Sequence, residues 1–172
     1  MKKFIIVMAF WVVFLSFSAC DNSGGMNQSD LPSYLQLKNG SKIDIHVQYL
    51  RIGSGLGPEN PISIVISSKS ELERFYSGKS DENYFWTSGY KNAISKYSDD
   101  YFVDNFLIIV FIEEVSGSNR HKVEKVDMDG NIVIERLLPG PDMAWTHDMA
   151  TWNIIIELNN SYKIEKYQVM LF

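Results

Sequence analysis

Cysteine is almost absent from this chain: its 172 residues include a single one, Cys20. One cysteine excludes an intramolecular disulfide, so the hydrophobic core must stabilise the fold alone. Basic residues are also few, with 16 Lys and Arg against 21 Asp and Glu and a formal net charge of −5. Because no basic stripe is available to neutralise phosphates, we expect no nucleic-acid partner.

The longest apolar run, residues 4–15, lies at the amino terminus behind two lysines. It is too short to span a bilayer comfortably and has the layout of a secretory signal peptide. Residues 16–20, Ser-Phe-Ser-Ala-Cys, resemble a bacterial lipobox with Phe in place of the commoner Leu. The resemblance implies cleavage before Cys20 and attachment of diacylglycerol to its sulfur, which would anchor the protein to the outside of the cell membrane. Ordinary signal cleavage near Ala19, leaving a free thiol, is the alternative.

Three segments follow from this organisation. Residues 1–19 are predicted to be the signal peptide and residues 20–33 a flexible tether, because 21–30 are polar and glycine-rich with nothing to bury. Residues 34–172 then form a single β-rich domain, which is long enough for one core but not comfortably for two.

The domain is organised around residues 106–112, seven consecutive apolar side chains that predict a strand buried on both faces. Residues 41–52 alternate between apolar and polar, which predicts a half-buried strand with His46 facing solvent. Asp129-Gly130, between two further strand patterns, predicts a tight hairpin.

Helical signals are shorter than the strand signals. Residues 68–71 have the spacing of a capping box, and residues 90–97 place apolar side chains on one helical face. Asp99-Asp100 is interpreted as a turn, and the strands after 106–112 are expected to lie antiparallel beside it. The prediction is a mainly β (α+β) fold, an antiparallel β-sandwich or strongly curled sheet of about seven strands with one or two short covering helices.

No strong catalytic or metal-binding motif stands out. The mature chain contains no G-x-S-x-G elbow, and His121, His147 and Asp148 lack the spacing of a metal site on one helix. Glu113 and Glu114 end the central strand, where alternation sends them to opposite faces and suits solubility more than acid–base chemistry. We therefore expect no enzymatic activity, no metal and no cofactor.

Taken in order, residues 62–171 resemble the C-terminal domain of the protease-complex subunit PrcB family, small secreted or lipid-anchored β-rich bacterial domains. The likeness lies in a short strand and capped helix, the strand YFVDNFLIIVF, a glycine turn, a paired strand, a Pro-containing loop and the strand TWNIIIEL. Ser116-Gly117-Ser118-Asn119 stands where the family usually has a Thr-Gly-Gly-Tyr kind of turn. The resemblance implies an accessory or stabilising subunit of a protease.

We therefore expect a membrane-anchored, non-enzymatic module that binds a protein partner in the cell envelope; a small-molecule or metal-binding carrier is the alternative. Strands joined by short turns alternate in direction, so turn 116–119 and loop 139–150 should emerge at the same end. Polar groups beside an aromatic anchor are typical of partner sites. The predicted partner-binding residues are Ser116, Gly117, Ser118, Asn119, Trp145, His147 and Asp148. Trp145 packing back against the sheet is the alternative.

Overall fold

The computed structural model describes residues 32–53, 60–77, 88–141, 146 and 148–172. The predicted signal peptide, the lipidation site at Cys20 and all but the last two residues of the predicted tether lie outside these ranges. The described elements are β1 Tyr34–Gln36, β2 Lys42–Asp44, β3 His46–Gly53, β4 Ile62–Ile66, α1 Lys69–Ser77, α2 Ser88–Ser95, α3 Asp99–Asp104, β5 Asn105–Glu114, β6 Arg120–Asp127, β7 Asn131–Leu137, β8 Ala150–Asn159 and β9 Gln168–Leu171. No helix in the described ranges is both long and apolar enough to cross a membrane.

The strands form two facing sheets that are not closed into a barrel. One sheet has the order β2-β1-β6-β7-β9 and the other the order β3-β8-β5-β4. Most neighbours are antiparallel, but β1 runs parallel to β6 and β9 runs parallel to β7. The prediction of a mainly β fold with short helices is confirmed.

Strand β5 is buried on both faces, as its seven apolar residues predict. Its even-numbered side chains, Phe106, Ile108, Val110 and Ile112, lie in the main core between the two sheets. Its odd-numbered side chains, Leu107, Ile109 and Phe111, lie in a second core under the helices. The helices therefore cover the outer face of the four-stranded sheet.

The helix starts use side-chain caps. Ser68 Oγ accepts the backbone N–H of Glu71 at 3.1 Å, and the Glu71 carboxylate accepts the N–H of Ser67 at 2.7 Å. The turn predicted at Asp99-Asp100 is wrong, because these residues begin α3. Ser98 caps that helix, and two aspartates in its first turn complement the helix dipole.

The single strand predicted over residues 41–52 is in fact two strands in different sheets. Ile45 separates β2 from β3, and its N–H donates to the carbonyl of Ser33 at 3.1 Å. The alternation continues across the break because the side chains on both sides pack against the same main core. A period-two pattern records which face is buried, not which sheet the strand joins.

The expectation that the strands after β5 lie antiparallel beside it is wrong for most of them. Only β4 and β8 neighbour β5, whereas β6, β7 and β9 belong to the facing sheet. Residues 115–119 therefore carry the chain from one sheet to the other.

Candidate functional site

The turn after β5 and the segment before β8 meet at one end of the sandwich. The Gly117 N–H donates to the Asp148 carbonyl at 2.8 Å, and Ser116 Oγ donates to the Thr146 carbonyl at 2.8 Å. The Thr146 N–H donates in turn to Ser118 Oγ at 3.0 Å. Residues 115–119, 146 and 148–149, with Arg51 beside them, are called the loop end below. The turn and the loop thus emerge together, as strand alternation predicts.

The predicted partner residues divide by exposure. Ser116, Gly117 and Asn119 are buried, Ser118 is half-buried and Asp148 is exposed. Trp145 and His147 lie outside the described residues. The buried members shape the turn, and of the predicted residues described only Ser118 and Asp148 are accessible at the surface.

Gly117 lies close to the charged ends of two side chains, which would have to shift to admit a Cβ. Arg51 forms an ion pair with Asp148, and a Cβ on Gly117 would come within 2.7 Å of both side chains. On the other side, Arg120 Nη1 donates to the Gly117 carbonyl at 2.8 Å, and its guanidinium lies 5.2 Å from the Trp152 ring centroid. Hydrogen bonds from Thr146 and Arg51 lower the pKa of Asp148 to about 2. These contacts connect the turn to Arg51 of β3, Arg120 of β6 and Asp148 before β8.

Several exposed apolar side chains lie at the same end of the sandwich as this turn. Val115, Leu138 and Met149 are exposed large apolar residues at this end, and Leu138 follows the pairing of Leu137 with Arg120. Phe172 is also exposed, and its carbonyl accepts the N–H of Arg136 at 2.8 Å, near the end of β7. Apolar surface rimmed by polar residues is a common feature of protein-contact sites.

The buried carboxylate of Glu114 forms a hydrogen-bond network next to the loop end. Glu114 Oε1 lies 2.8 Å from His121 Nε2 and accepts from Arg136 Nε at 2.8 Å, while Glu114 Oε2 accepts from Asn119 Nδ2 at 2.7 Å. Burial opposes ionisation of Glu114, but the hydrogen bonds from His121, Arg136 and Asn119 outweigh it and lower its pKa to about 2. The network joins β5 to β6 and β7 of the facing sheet.

The interpretation of Glu114 as a solubilising surface charge is wrong, because its side chain is 2% exposed. The His121 ring is fully buried and packs edge-on against Trp152, with the ring centroids 5.6 Å apart. A fully buried imidazole has no access to a substrate, so the arrangement serves the fold.

A second carboxylate cluster lies on the outer face of the four-stranded sheet. Glu157 Oε1 lies 2.6 Å from His46 Nδ1 and accepts from Lys96 Nζ at 2.7 Å and from the Tyr97 hydroxyl at 3.0 Å. Burial, together with the Glu157 charge, raises the pKa of Tyr97. His46 is 59% exposed, as alternation predicts, yet it also binds Glu157. The cluster fastens the segment between α2 and α3 onto β8.

Sequence reasoning missed Arg51, Arg120 and both carboxylate clusters. The only signal available for Arg120 was its position at the start of a strand, directly after the predicted turn, and Arg51 in β3 gave no such signal. Across the described ranges, no group of three or more His, Cys, Asp or Glu side chains is placed to hold a metal ion. Comparison with models of protein families, with curated proteins and with solved structures finds no match for this chain.

Proposed function

We propose that the protein is an extracytoplasmic, lipid-anchored module that binds another protein through its loop end and performs no catalysis itself. One observation carries this proposal: a turn that is hydrogen-bonded to Arg120 and Asp148 lies beside exposed apolar side chains at the same end of the sandwich. Preorganised apolar groups bind with little loss of conformational entropy. The resemblance to the PrcB family suggests that the protein acts as an accessory or stabilising subunit of a protease.

The anchor is tested separately from the binding surface. Cys20→Ser should move the protein from the membrane pellet to the soluble fraction and abolish labelling with a fatty-acid analogue. A parent protein that takes up no label would contradict the lipid anchor and leave the loop-end surface open to its own test.

The binding surface is tested by site-specific photo-crosslinking in whole cells. A photoreactive amino acid replaces Val115, which is 78% exposed at the loop end, or Val103, which is 71% exposed in α3. We expect a discrete adduct with another protein from position 115 and none from position 103. Equal adducts at both positions, or none at position 115, would remove the proposed surface.

A further inference from the structure

Two arginines from different sheets come together at the loop end, next to a buried tryptophan. Arg51 lies opposite Trp152 in the pairing of β3 with β8, so the two side chains share one face of the four-stranded sheet. Trp152 belongs to the main core, so this is the face that looks toward the five-stranded sheet. Arg120 comes from that other sheet, and its guanidinium lies 5.2 Å from the Trp152 ring centroid. Both arginines therefore lie where the space between the sheets reaches the surface.

The two positive charges are close enough to affect each other. A Cβ on Gly117 would lie 2.7 Å from Arg51 Nη2, and Arg120 Nη1 donates to the carbonyl of the same residue at 2.8 Å. Burial, together with the charge of Arg51, lowers the pKa of Arg120. An anion bound beside both guanidiniums would relieve this repulsion.

Only one of the two charges is balanced by a carboxylate. Asp148 pairs with Arg51, whose side chain is 43% exposed. Arg120 is also exposed, and its Nη1 donates to the carbonyls of Gly117 and Asn119 at 2.8 and 3.0 Å. Among the residues that the structure describes, no carboxylate pairs with Arg120, and its Nε and Nη2 have no acceptor. These N–H groups belong to a planar fork and are available to a ligand.

We propose that the loop end binds an acidic side chain of the partner protein, an Asp or Glu with an apolar residue beside it, through Arg120 and Arg51. The inference rests on the proposed function and names the chemistry of its partner. A guanidinium fork matches a carboxylate, which accepts two parallel N–H bonds from it. Val115 and Met149, which are 78% and 43% exposed at the same end, would contact the apolar residue.

Charge favours a single carboxylate as the occupant. Arg51, Arg120 and Asp148 leave one positive charge uncompensated, and the nearby carboxylate of Glu114 is buried and paired with Arg136. The whole chain has a net charge of −5, so this site attracts an acidic group that most of the surface repels. One carboxylate neutralises the site, whereas a phosphorylated side chain, with a charge of about −1.5 to −2, would exceed it.

Photo-crosslinking of the full chain from position 115 in whole cells tests the assignment. Arg120→Gln should lower the yield of the adduct several-fold, and Arg120→Lys, which keeps the charge, should retain most of it. Asp148→Asn should instead raise the yield, because it frees Arg51 and removes a charge that repels the partner's carboxylate. Lys166→Gln is the matched control. It removes an exposed positive charge beside the hairpin turn at Gly130 and should leave the yield unchanged.

The outcomes separate this inference from the proposed function. If the parent gives no adduct from position 115, both are wrong. An adduct that forms in the parent and is unchanged by Arg120→Gln would overturn only the acidic ligand. A yield that Asp148→Asn lowers as much as Arg120→Gln does would overturn it too, because damage to the turn alone would give that result.

Mass spectrometry of the adduct supplies a second test. The partner segment joined to position 115 should contain an Asp or Glu next to an apolar residue. Replacing that acidic residue by Arg should abolish the adduct, and combining this change with Arg120→Glu should restore it. A segment without Asp or Glu, or one that belongs to a second copy of this chain, would overturn the proposal. So would an adduct that survives the loss of the partner's acidic residue.

Discussion

Two glutamates make almost the same contact with histidine and yet have different surroundings. Glu114 lies 2.8 Å from His121 and is 2% exposed, whereas Glu157 lies 2.6 Å from His46 and is 19% exposed. The Glu114 network consists of strand and turn residues from two sheets, while the Glu157 network includes the surface lysine Lys96. We therefore expect burial, rather than the Glu–His pairing itself, to decide how much each contact contributes to the free energy of unfolding.

The difference also assigns the two clusters to different parts of the fold. The Glu114 network joins the sheets beneath the loop end, so losing it should affect the whole domain. The Glu157 cluster holds the segment between α2 and α3 on the sheet, so losing it should affect mainly the helical layer. Substitutions at matched positions test this comparison.

The largest effect is expected from Glu114→Gln. The substitution removes the charge of a buried carboxylate that contacts the buried His121 and the partly exposed Arg136, and breaking a buried ion pair costs roughly 3–5 kcal/mol. Urea unfolding measures the loss as a lower midpoint. Glu113→Gln, one residue earlier on the same strand, is the control and should change the free energy of unfolding by less than about 0.5 kcal/mol. Equal losses from the two variants would contradict the role of the Glu114 network.

Acid titration should reveal the same carboxylate. Its folded pKa of about 2 lies below the ordinary value of 4.5. Ionised Glu114 therefore contributes stability above pH 4.5 that is lost as the pH falls through 2, a contribution on the order of 3 kcal/mol. We expect the free energy of unfolding to fall more steeply in this range for the parent than for Glu114→Gln. Parallel pH curves would show that Glu114 is not the titrating group.

The features that sequence reasoning predicted correctly are those with local causes. The seven apolar residues predicted β5, and the Ser68–Glu71 spacing predicted the start of α1. Gly130 adopts a positive φ of +92° in the hairpin turn, and a Cβ there would come within 2.5 Å of the Lys166 carbonyl. Each signal lies within a few residues of the structure that it specifies.

The carboxylate clusters and the sheet assignment could not be predicted in this way. Glu157 and its partner His46 are 111 positions apart, and Glu114 and Arg136 are 22 apart. Pairs so far apart produce no periodic pattern in the sequence. Side-chain periodicity reports only which residues share a face of a single helix or strand. The break between β2 and β3 at Ile45 also left no signal in the sequence, because one core receives apolar side chains from both sheets.

A smaller effect is expected from Glu157→Gln. The amide keeps the shape but loses the charge that accepts from Lys96 and Tyr97, and hydrogen bonds to charged groups contribute about 1.5–3 kcal/mol each at most. Because this carboxylate is partly exposed, we expect a net loss of only about 1–2 kcal/mol. Hydrogen exchange should accelerate at the amides of α3 and not in β5. Acceleration in β5 would mean that the cluster supports the whole domain.

The smallest loss of stability is expected from substituting His46, the exposed histidine that contacts Glu157. His46→Ala removes a surface partner of Glu157, and exposed ion pairs contribute roughly 0–1 kcal/mol, less at high salt. His121→Ala removes the buried counterpart, leaves Glu114 without one of its donors and opens a cavity beside Trp152. We therefore expect His121→Ala to lower the urea midpoint several times more than His46→Ala does. Added salt should shrink the small difference between His46→Ala and the parent, and it should leave the large His121→Ala effect nearly unchanged. If the two alanine variants were equally stable, burial would not be what separates the two glutamates.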